Sequence, residues 1–424
     1  MNALLTPARE VLQTPTVEVP PSKSAAHRLL IPAALANGES LIRCRGTSDD
    51  IERTAECLAQ MGAQICRLPD GVTFSVQPLQ KPQGVCTLQV GESGSTRRFL
   101  LPVLGALGLS ARIHMEGRLP QRPLEPLAGE LMRHGMTLSR PSPDVLSVSG
   151  QLKAGHYVLD GSVSSQFISG LLFALPLLEG ESRLEITGRV ESRPYIQMTL
   201  EALASFGVRP VAEGQGFRIL PTPYVTRGVY EVEGDYSGAA FMLCAGALHP
   251  AGVRVRGLDP HSPQGDRQIL SVLEQMGACL QWEEGALSLR PAPLRGIELD
   301  VSHIPDLVPA LAVVAATAQG ETLFYNAGRL RLKESDRLAA CAELLRTLGI
   351  RVEENADSLR LWGGPLQSGV CDGHGDHRIV MSAALACLAT RAPLTVTTAE
   401  AVSKSYPDFF LHLQRFGVDV TLQP

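Results

Sequence analysis

A chain of 424 residues is too long for one ordinary hydrophobic core, so two or three domains are expected. Hydrophobic residues at 44% and charged residues at 19% are normal for a folded soluble protein, and 5% aromatic residues leave few stacking platforms for single-stranded nucleic acid. A net charge of −5 argues against a general nucleic-acid or anionic-membrane binder, so any anion site has to be made locally by clustered bases. The nine cysteines form no C-x-x-C pair and fit reduced thiols in a cytosolic protein. The opening MNALLTPAREVLQTPTVEVP lacks the basic and apolar regions of a secretion signal, and the longest apolar runs fall short of a membrane span.

Taken in order, the chain repeats one plan six times at a step of roughly 70 residues. In the first copy, SKSAAHR (22–28) opens an apolar helix, SLIRC follows as a strand, and TSDD (47–50) leads into a second helix that ends at QMGAQI. The second runs GESGST (91–96), ARIHM, LPQRP (119–123), RHGMTL, and the third GSVSSQ (161–166), RLEIT, ESRPY (191–195), SFGVRP. The fourth runs EGDYSG (233–238), VRVRG, PQGD (263–266), QMGACL, and the fifth IPDLVP (304–309), TLFYN, LKESDR (332–337), TLGIRV. The sixth carries GHGDHR (373–378), SKSYPD (403–408) and RFGVDV. Ser, Thr or Asp stands ready as a cap at each helix start. Gly62, Gly135, Gly207, Gly277, Gly349 and Gly417 suit the left-handed position that ends a helix before a strand.

Each unit therefore reads strand, helix, strand, helix, strands: an α/β fold with a small sheet covered by helices on one face. The period exceeds that of solenoids, which favours a closed assembly. Six units divide most simply into two domains of three, residues 19–234 and a discontinuous domain of 1–18 with 235–424. The first residues then complete a strand of the C-terminal half.

The helix starts carry the chemistry. A first turn exposes unpaired N–H groups at the positive end of the helix dipole, which favours phosphate and carboxylate. Lys23 and Arg28, Arg97 and Arg98, and His377 and Arg378 lie at such starts, and the loops before the second helices add Arg122, Arg193, Lys333, Arg337 and Lys404. If the three starts of each domain point alike, two rings of donors face each other across a cleft and suit a small polyanionic guest. No mononucleotide or dinucleotide phosphate loop is present. A run such as Lys333-Glu334-Ser335-Asp336-Arg337 is more often a solvated face, GESGST and GSVSSQ can be plain caps, and the acids and histidines of DGHGDHR match no metal-ligand pattern. Asp306 needs a partner such as Glu334 to act as a proton carrier.

SKSAAHR, GESGST, LPQRP, SSQF, ESRPY, EGDYS, HIPD, RLKESDR, DHR and SKSYPD occur together, in order, across nearly the whole chain. In this set the chain resembles the EPSP synthase (3-phosphoshikimate 1-carboxyvinyltransferase) branch of the enolpyruvyltransferase family. The resemblance implies a two-domain inside-out α/β barrel with three βαβαββ-type units per domain. It implies transfer of the enolpyruvyl group of phosphoenolpyruvate to the 5-hydroxyl of shikimate 3-phosphate by addition and elimination, with no metal or organic cofactor. Ser164, Ser165 and Ser192 would hold the shikimate phosphate, Arg28 and Ser24 the carboxylate and its neighbours, and Tyr195 would pack near the ring. Gln166 would lie between the substrates, and Lys23, Asp306 and Lys333 would also meet shikimate 3-phosphate. Lys23, Gly94, Arg122, Arg337, Arg378 and Lys404 would take phosphoenolpyruvate. Asp306 and Glu334 would move protons beside Lys23. A cytoplasmic monomer that binds neither nucleic acid nor membrane is expected.

Two positions depart from the family pattern. Arg329 stands where some members have Asn, and Phe99 follows Arg98 where others have Pro. The alternatives are the sister enzyme acting on UDP-N-acetylglucosamine, a non-catalytic binder of phosphorylated metabolites, and a relative that processes RNA ends. The first uses a loop cysteine that RIHMEGRLPQRP (112–123) lacks, the second would have lost its acids, and the third would need a basic surface.

Overall fold

The computed structural model describes residues 1–7, 13–80, 84–390 and 392–424. The chain forms two units, one of Met1–Ser22 with Glu233–Pro424 and one of Lys23–Val232. Each has its own continuous apolar core.

Twelve α-helices run through the described residues. In the Lys23–Val232 unit they are α1 (Lys23–Leu35), α2 (Asp49–Gln60), α3 (Gly94–Ala106), α4 (Leu127–Arg133), α5 (Ser165–Ala174) and α6 (Arg193–Ser205). In the other unit they are α7 (Tyr236–Leu248), α8 (Ile269–Met276), α9 (Val308–Thr317), α10 (Arg337–Thr347), α11 (His377–Ala386) and α12 (Phe409–Gln414). The six polar segments marked as helix starts lead into α1, α3, α5, α7, α9 and α11. Ser93, Ser164, Asp235 and Asp376 cap four of these by accepting a hydrogen bond from a first-turn N–H. α9 instead begins through a 3-10 turn, Pro305–Leu307, where proline at the start needs no N–H partner. The six terminal glycines all adopt positive φ, from 79° to 110°, the backbone state in which a side chain is strained.

Among the described residues there are six four-stranded sheets with one topology. In the second repeat, Val85–Gly91 runs parallel to Ser110–Met115, which is antiparallel to Val145–Gly150, which is antiparallel to Met136–Ser142. Strands such as Ser182–Thr187 alternate buried and exposed, so each buries one face. α3, α5, α7, α9 and α11 are buried around nearly their whole circumference. A helix apolar on every side has to be enclosed, which explains why these segments read as continuous apolar runs.

Three sheets borrow a strand from far along the chain. Val229–Glu231 pairs in parallel with Ser40–Arg43 to complete the first repeat. Thr16–Glu18 does the same for Val253–Arg256 in the fourth. Asn2–Thr6 lies antiparallel between Leu394–Val396 and Asp419–Gln423 in the sixth.

Candidate active site

In the unit containing the C-terminal half, three helix starts bring their charges together. The 3-10 turn before α9 carries Asp306, the segment 333–336 leads into α10, and Asp376 caps α11. Arg337 joins all three. Its Nε and Nη2 donate to the two oxygens of Asp376 at 2.7 and 3.2 Å. Its Nη1 donates to Asp306 Oδ1 and its Nη2 to Glu334 Oε2, each at 2.5 Å. The guanidinium is 2% exposed and Asp376 fully buried. Burial disfavours the charge on Arg337, yet Asp376, Glu334 and Asp306 outweigh it and raise its pKa above the ordinary value.

Asp306 is the electrostatic centre of the group. Lys333 Nζ donates to its Oδ1 at 3.1 Å, and Arg378 Nη1 donates to its backbone carbonyl at 3.2 Å. Arg378 Nη2 lies 3.6 Å from its Oδ2. Burial pushes the Asp306 carboxyl up, but Arg378, Lys333 and Arg337 hold it well below the usual carboxylate range. Burial also brings Lys333 down to about 8 against the pull of Asp306. Ser335 and the backbone N–H of Arg378 both donate to Asp376 at 3.0 Å, so this carboxylate is the anchor of the cluster. Asp336 turns away: it caps α10 at Ala339 N, 3.0 Å, and pairs with Arg331 at 2.9 Å.

In the Lys23–Val232 unit the polar groups are chiefly cations and hydroxyls. Lys23, the first residue of α1, pairs with Asp50 at 3.0 Å. Arg28 is buried; its Nε donates to Thr199 Oγ1 at 2.9 Å, and its Nη1 and Nη2 donate to the carbonyls of Ser24 and Tyr195 at 2.8 and 3.0 Å. Its guanidinium also stands 5.8 Å from the Tyr195 ring centre and 5.0 Å from that of Phe99. Phe99 therefore fills the core beneath α3 and packs edge-on against Phe173. Burial lowers Arg28 to about 10, which leaves it charged at neutral pH.

Ser164 caps α5, with Ser165 as the first helical residue, and both are buried. Gln166 donates to Ser95 Oγ at 2.8 Å and accepts from Arg98 Nη1 at 2.7 Å. Ser192 stands immediately before α6 in the left-handed conformation, φ 53°, one turn before Tyr195. A Cβ on Gly94 would meet Arg122 Nη1 at 2.7 Å, so this first residue of α3 leaves the guanidinium its place. Beneath these groups, His27 Nδ1 lies 2.6 Å from Thr54 Oγ1, which bonds to Thr96 and onward to Ser93 at 2.7 Å each. This chain ties α1 and α2 to the start of α3.

The structure thus gathers Asp306, Lys333, Glu334, Arg337 and Arg378 in one unit. In the other it joins Ser24, Arg28 and Tyr195 in one group, and Gly94 with Arg122 in a second. Lys404 is buried at the end of a 3-10 helix, Ala399–Lys404, that packs against α11. Sequence reasoning named Arg98 but gave it no task, and passed over Asp50, Ser95 and the anchoring role of Asp376. It also missed Asp266, a buried carboxyl bonded to Ser237 and raised to about 6 by burial and then by Asp306. Asp50, Ser95, Asp266 and Asp376 each lie inside a quoted motif, the signal that could have found them. Among the described residues no group of three or more His, Cys, Asp or Glu is placed to hold a metal ion. The acids of DGHGDHR are engaged with backbone N–H groups, Thr397, Ser335 and Arg337.

Comparison with known proteins gives a consistent result. Residues 10–413 match the family model described as EPSP synthase (3-phosphoshikimate 1-carboxyvinyltransferase). The chain is 38% identical over 416 residues to the 3-phosphoshikimate 1-carboxyvinyltransferase of Clostridium kluyveri, covering 95% of each chain. It is 39% identical over 412 residues to that of Clostridium acetobutylicum, again with 95% of each covered. The EPSP synthase structure from Acinetobacter baumannii superposes with a TM-score of 0.81 at 27% identity, over 99% of this chain and 100% of that one. An enolpyruvyl transferase from Streptomyces tendae, NikO, shares the fold with a TM-score of 0.78 at 20% identity, over the full length of both.

Proposed function

Because the chain belongs to the EPSP synthase (3-phosphoshikimate 1-carboxyvinyltransferase) family, we propose that its charged clusters bind the two substrates of that reaction. The enzyme is a transferase of the shikimate pathway, which leads to chorismate and the aromatic amino acids, and its six-sheet α/β fold is that of the family. It moves the enolpyruvyl group of phosphoenolpyruvate to the 5-hydroxyl of shikimate 3-phosphate and releases phosphate.

Both substrates are phosphorylated carboxylates. In this reading the shikimate phosphate lies on Ser164, Ser165 and Ser192, its carboxylate on Arg28 and Ser24, and its ring near Tyr195. Arg122 beside Gly94, with Lys23, Arg337, Arg378 and Lys404, takes phosphoenolpyruvate, and Gln166 touches both. Arginine suits such guests because its fork gives two parallel N–H bonds to one oxyanion.

The observation that carries the reading is Arg337 bonded at once to Asp306 and Glu334. The reaction requires a base for the hydroxyl and an acid for the enol carbon in fixed geometry. Asp306, held ionised by its cations, takes the proton of the 5-hydroxyl as that oxygen bonds to C2. Glu334 protonates C3; a substrate anion that draws on Arg337 weakens its hold on Glu334 and raises that carboxyl's proton affinity. Loss of a methyl proton to a carboxylate then expels phosphate from C2. We read the working state as a cytoplasmic monomer without metal or cofactor. No helix among the described residues is long and apolar enough to cross a membrane.

Phosphate release from phosphoenolpyruvate, followed with shikimate 3-phosphate or UDP-N-acetylglucosamine as acceptor, tests the assignment. Release is expected with the first acceptor alone. Release with the sugar nucleotide alone would transfer the chain to the sister activity, and none with either would make it a binding protein.

A further inference from the structure

The segment after Ser110–Met115 carries a single 3-10 turn, Leu119–Gln121, and its carbonyls are heavily bonded. Arg97 Nη1 donates to Leu119 O at 2.9 Å and Arg97 Nη2 to Arg122 O at 3.3 Å. Arg98 Nη2 donates to Pro123 O at 3.1 Å and Arg140 Nη1 to Pro120 O at 2.9 Å. Three arginines thus hold four carbonyls within five residues. Of the three, Arg97 is the one with no solvent exposure. Its Nη1 also lies 3.3 Å from Met115 Sδ, its Nε has no hydrogen-bond partner, and no carboxylate lies within ion-pair distance among the described residues. A buried cation without a counter-ion is expensive to keep, so its retention calls for a local reason. Burial, then Arg122 and Arg140, bring it down to about 9, which still leaves it charged at neutral pH.

We propose that Arg97 is a positioning residue for phosphoenolpyruvate, bridging the two ends of segment 119–122 so that the Arg122 guanidinium is held against Gly94. Its fork spans two carbonyls, a geometry that lysine cannot reproduce. The inference rests on the reading that Arg122 binds phosphoenolpyruvate.

Arg97→Met, Arg97→Lys and Arg122→Ala, with the double variant Arg97→Met/Arg122→Ala, test it by steady-state kinetics with both substrates varied. Arg97→Met removes a buried charge beside a methionine and is expected to keep the fold; Arg97→Lys carries the test if it does not. The expected result is a rise of about tenfold in the KM for phosphoenolpyruvate in both Arg97 variants. The KM for shikimate 3-phosphate should stay within about twofold. In the double variant, Arg97→Met should add little to the effect of Arg122→Ala, since coupled groups are not additive. A general structural defect would instead shift both KM values or lower kcat alone, and either pattern overturns the proposal. An effect of Arg122→Ala on the phosphoenolpyruvate KM with none from Arg97 overturns this inference alone. No effect from Arg122→Ala overturns the reading beneath it and the inference together.

Discussion

The two units surround their buried arginines in opposite ways. Arg337, in the unit with the C-terminal half, is surrounded by Asp306, Glu334 and Asp376. Arg28 and Arg97, in the Lys23–Val232 unit, are equally buried but are held by carbonyls, a threonine and a thioether, with no carboxylate in ion-pair range among the described residues. The difference separates two tasks. A cation tied to acids sets where protons sit, because each partner's proton affinity depends on it. A cation tied to neutral groups keeps its charge uncompensated and its orientation fixed, which in the reading proposed above prepares Arg28 to meet a carboxylate and lets Arg97 hold the segment that carries Arg122.

The strongest way to break this comparison is to neutralise the acids. Asp306→Asn and Glu334→Gln are each expected to lower kcat by about 10²–10⁴-fold, with KM changed only a few-fold and the circular dichroism unaltered. Near-normal turnover in both would remove proton transfer from this cluster. Next in size, Arg337→Met leaves the fully buried Asp376 without its counter-ion. Unfolding in urea should show a loss of about 3–5 kcal/mol. Arg28→Met, which strands no carboxylate, should lose about 1–2 kcal/mol; equal losses would erase the distinction between the units.

An effect of similar size concerns His27. Burial lowers it from 6.5 to about 3, so the folded chain keeps it neutral while the unfolded chain takes up a proton below 6.5. Asp50 opposes the shift, and Lys23 and Arg28 reinforce it. The stability this neutrality protects is intact above pH 6.5 and lost as pH falls toward 3, amounting to about 2 kcal/mol between pH 6.5 and 5. His27→Gln should flatten that part of the urea midpoint against pH, and an unchanged slope would place the acid sensitivity elsewhere.

Much of this was legible because the repeat is written twice in each copy, once as a capped apolar run and once as a glycine after a helix. Both are local signals, fixed by hydrogen bonding within a few residues. The strand exchanges were harder to read. Val229–Glu231 and Thr16–Glu18 are three residues long and pair across roughly 190 and 240 positions, and no periodicity spans such a gap. The site divided along the same line. Lys333, Glu334 and Arg337 stand in one motif, whereas the pairing of Arg337 with Asp376 joins residues 39 apart in sequence. Nothing in GHGDHR alone distinguishes a cap from a counter-ion, and here Asp376 is both.

The strand Asn2–Thr6 has a consequence for biosynthesis. Its neighbours on either side are Leu394–Val396 and Asp419–Gln423, so it leaves the ribosome almost a whole chain length ahead of them. At about 5–20 residues per second it waits roughly 20–80 s for a partner, while Lys23–Val232 can already assemble. The nascent molecule thus passes through a long interval with one half finished and a strand that lacks both neighbours, the period in which a chaperone would have most to protect.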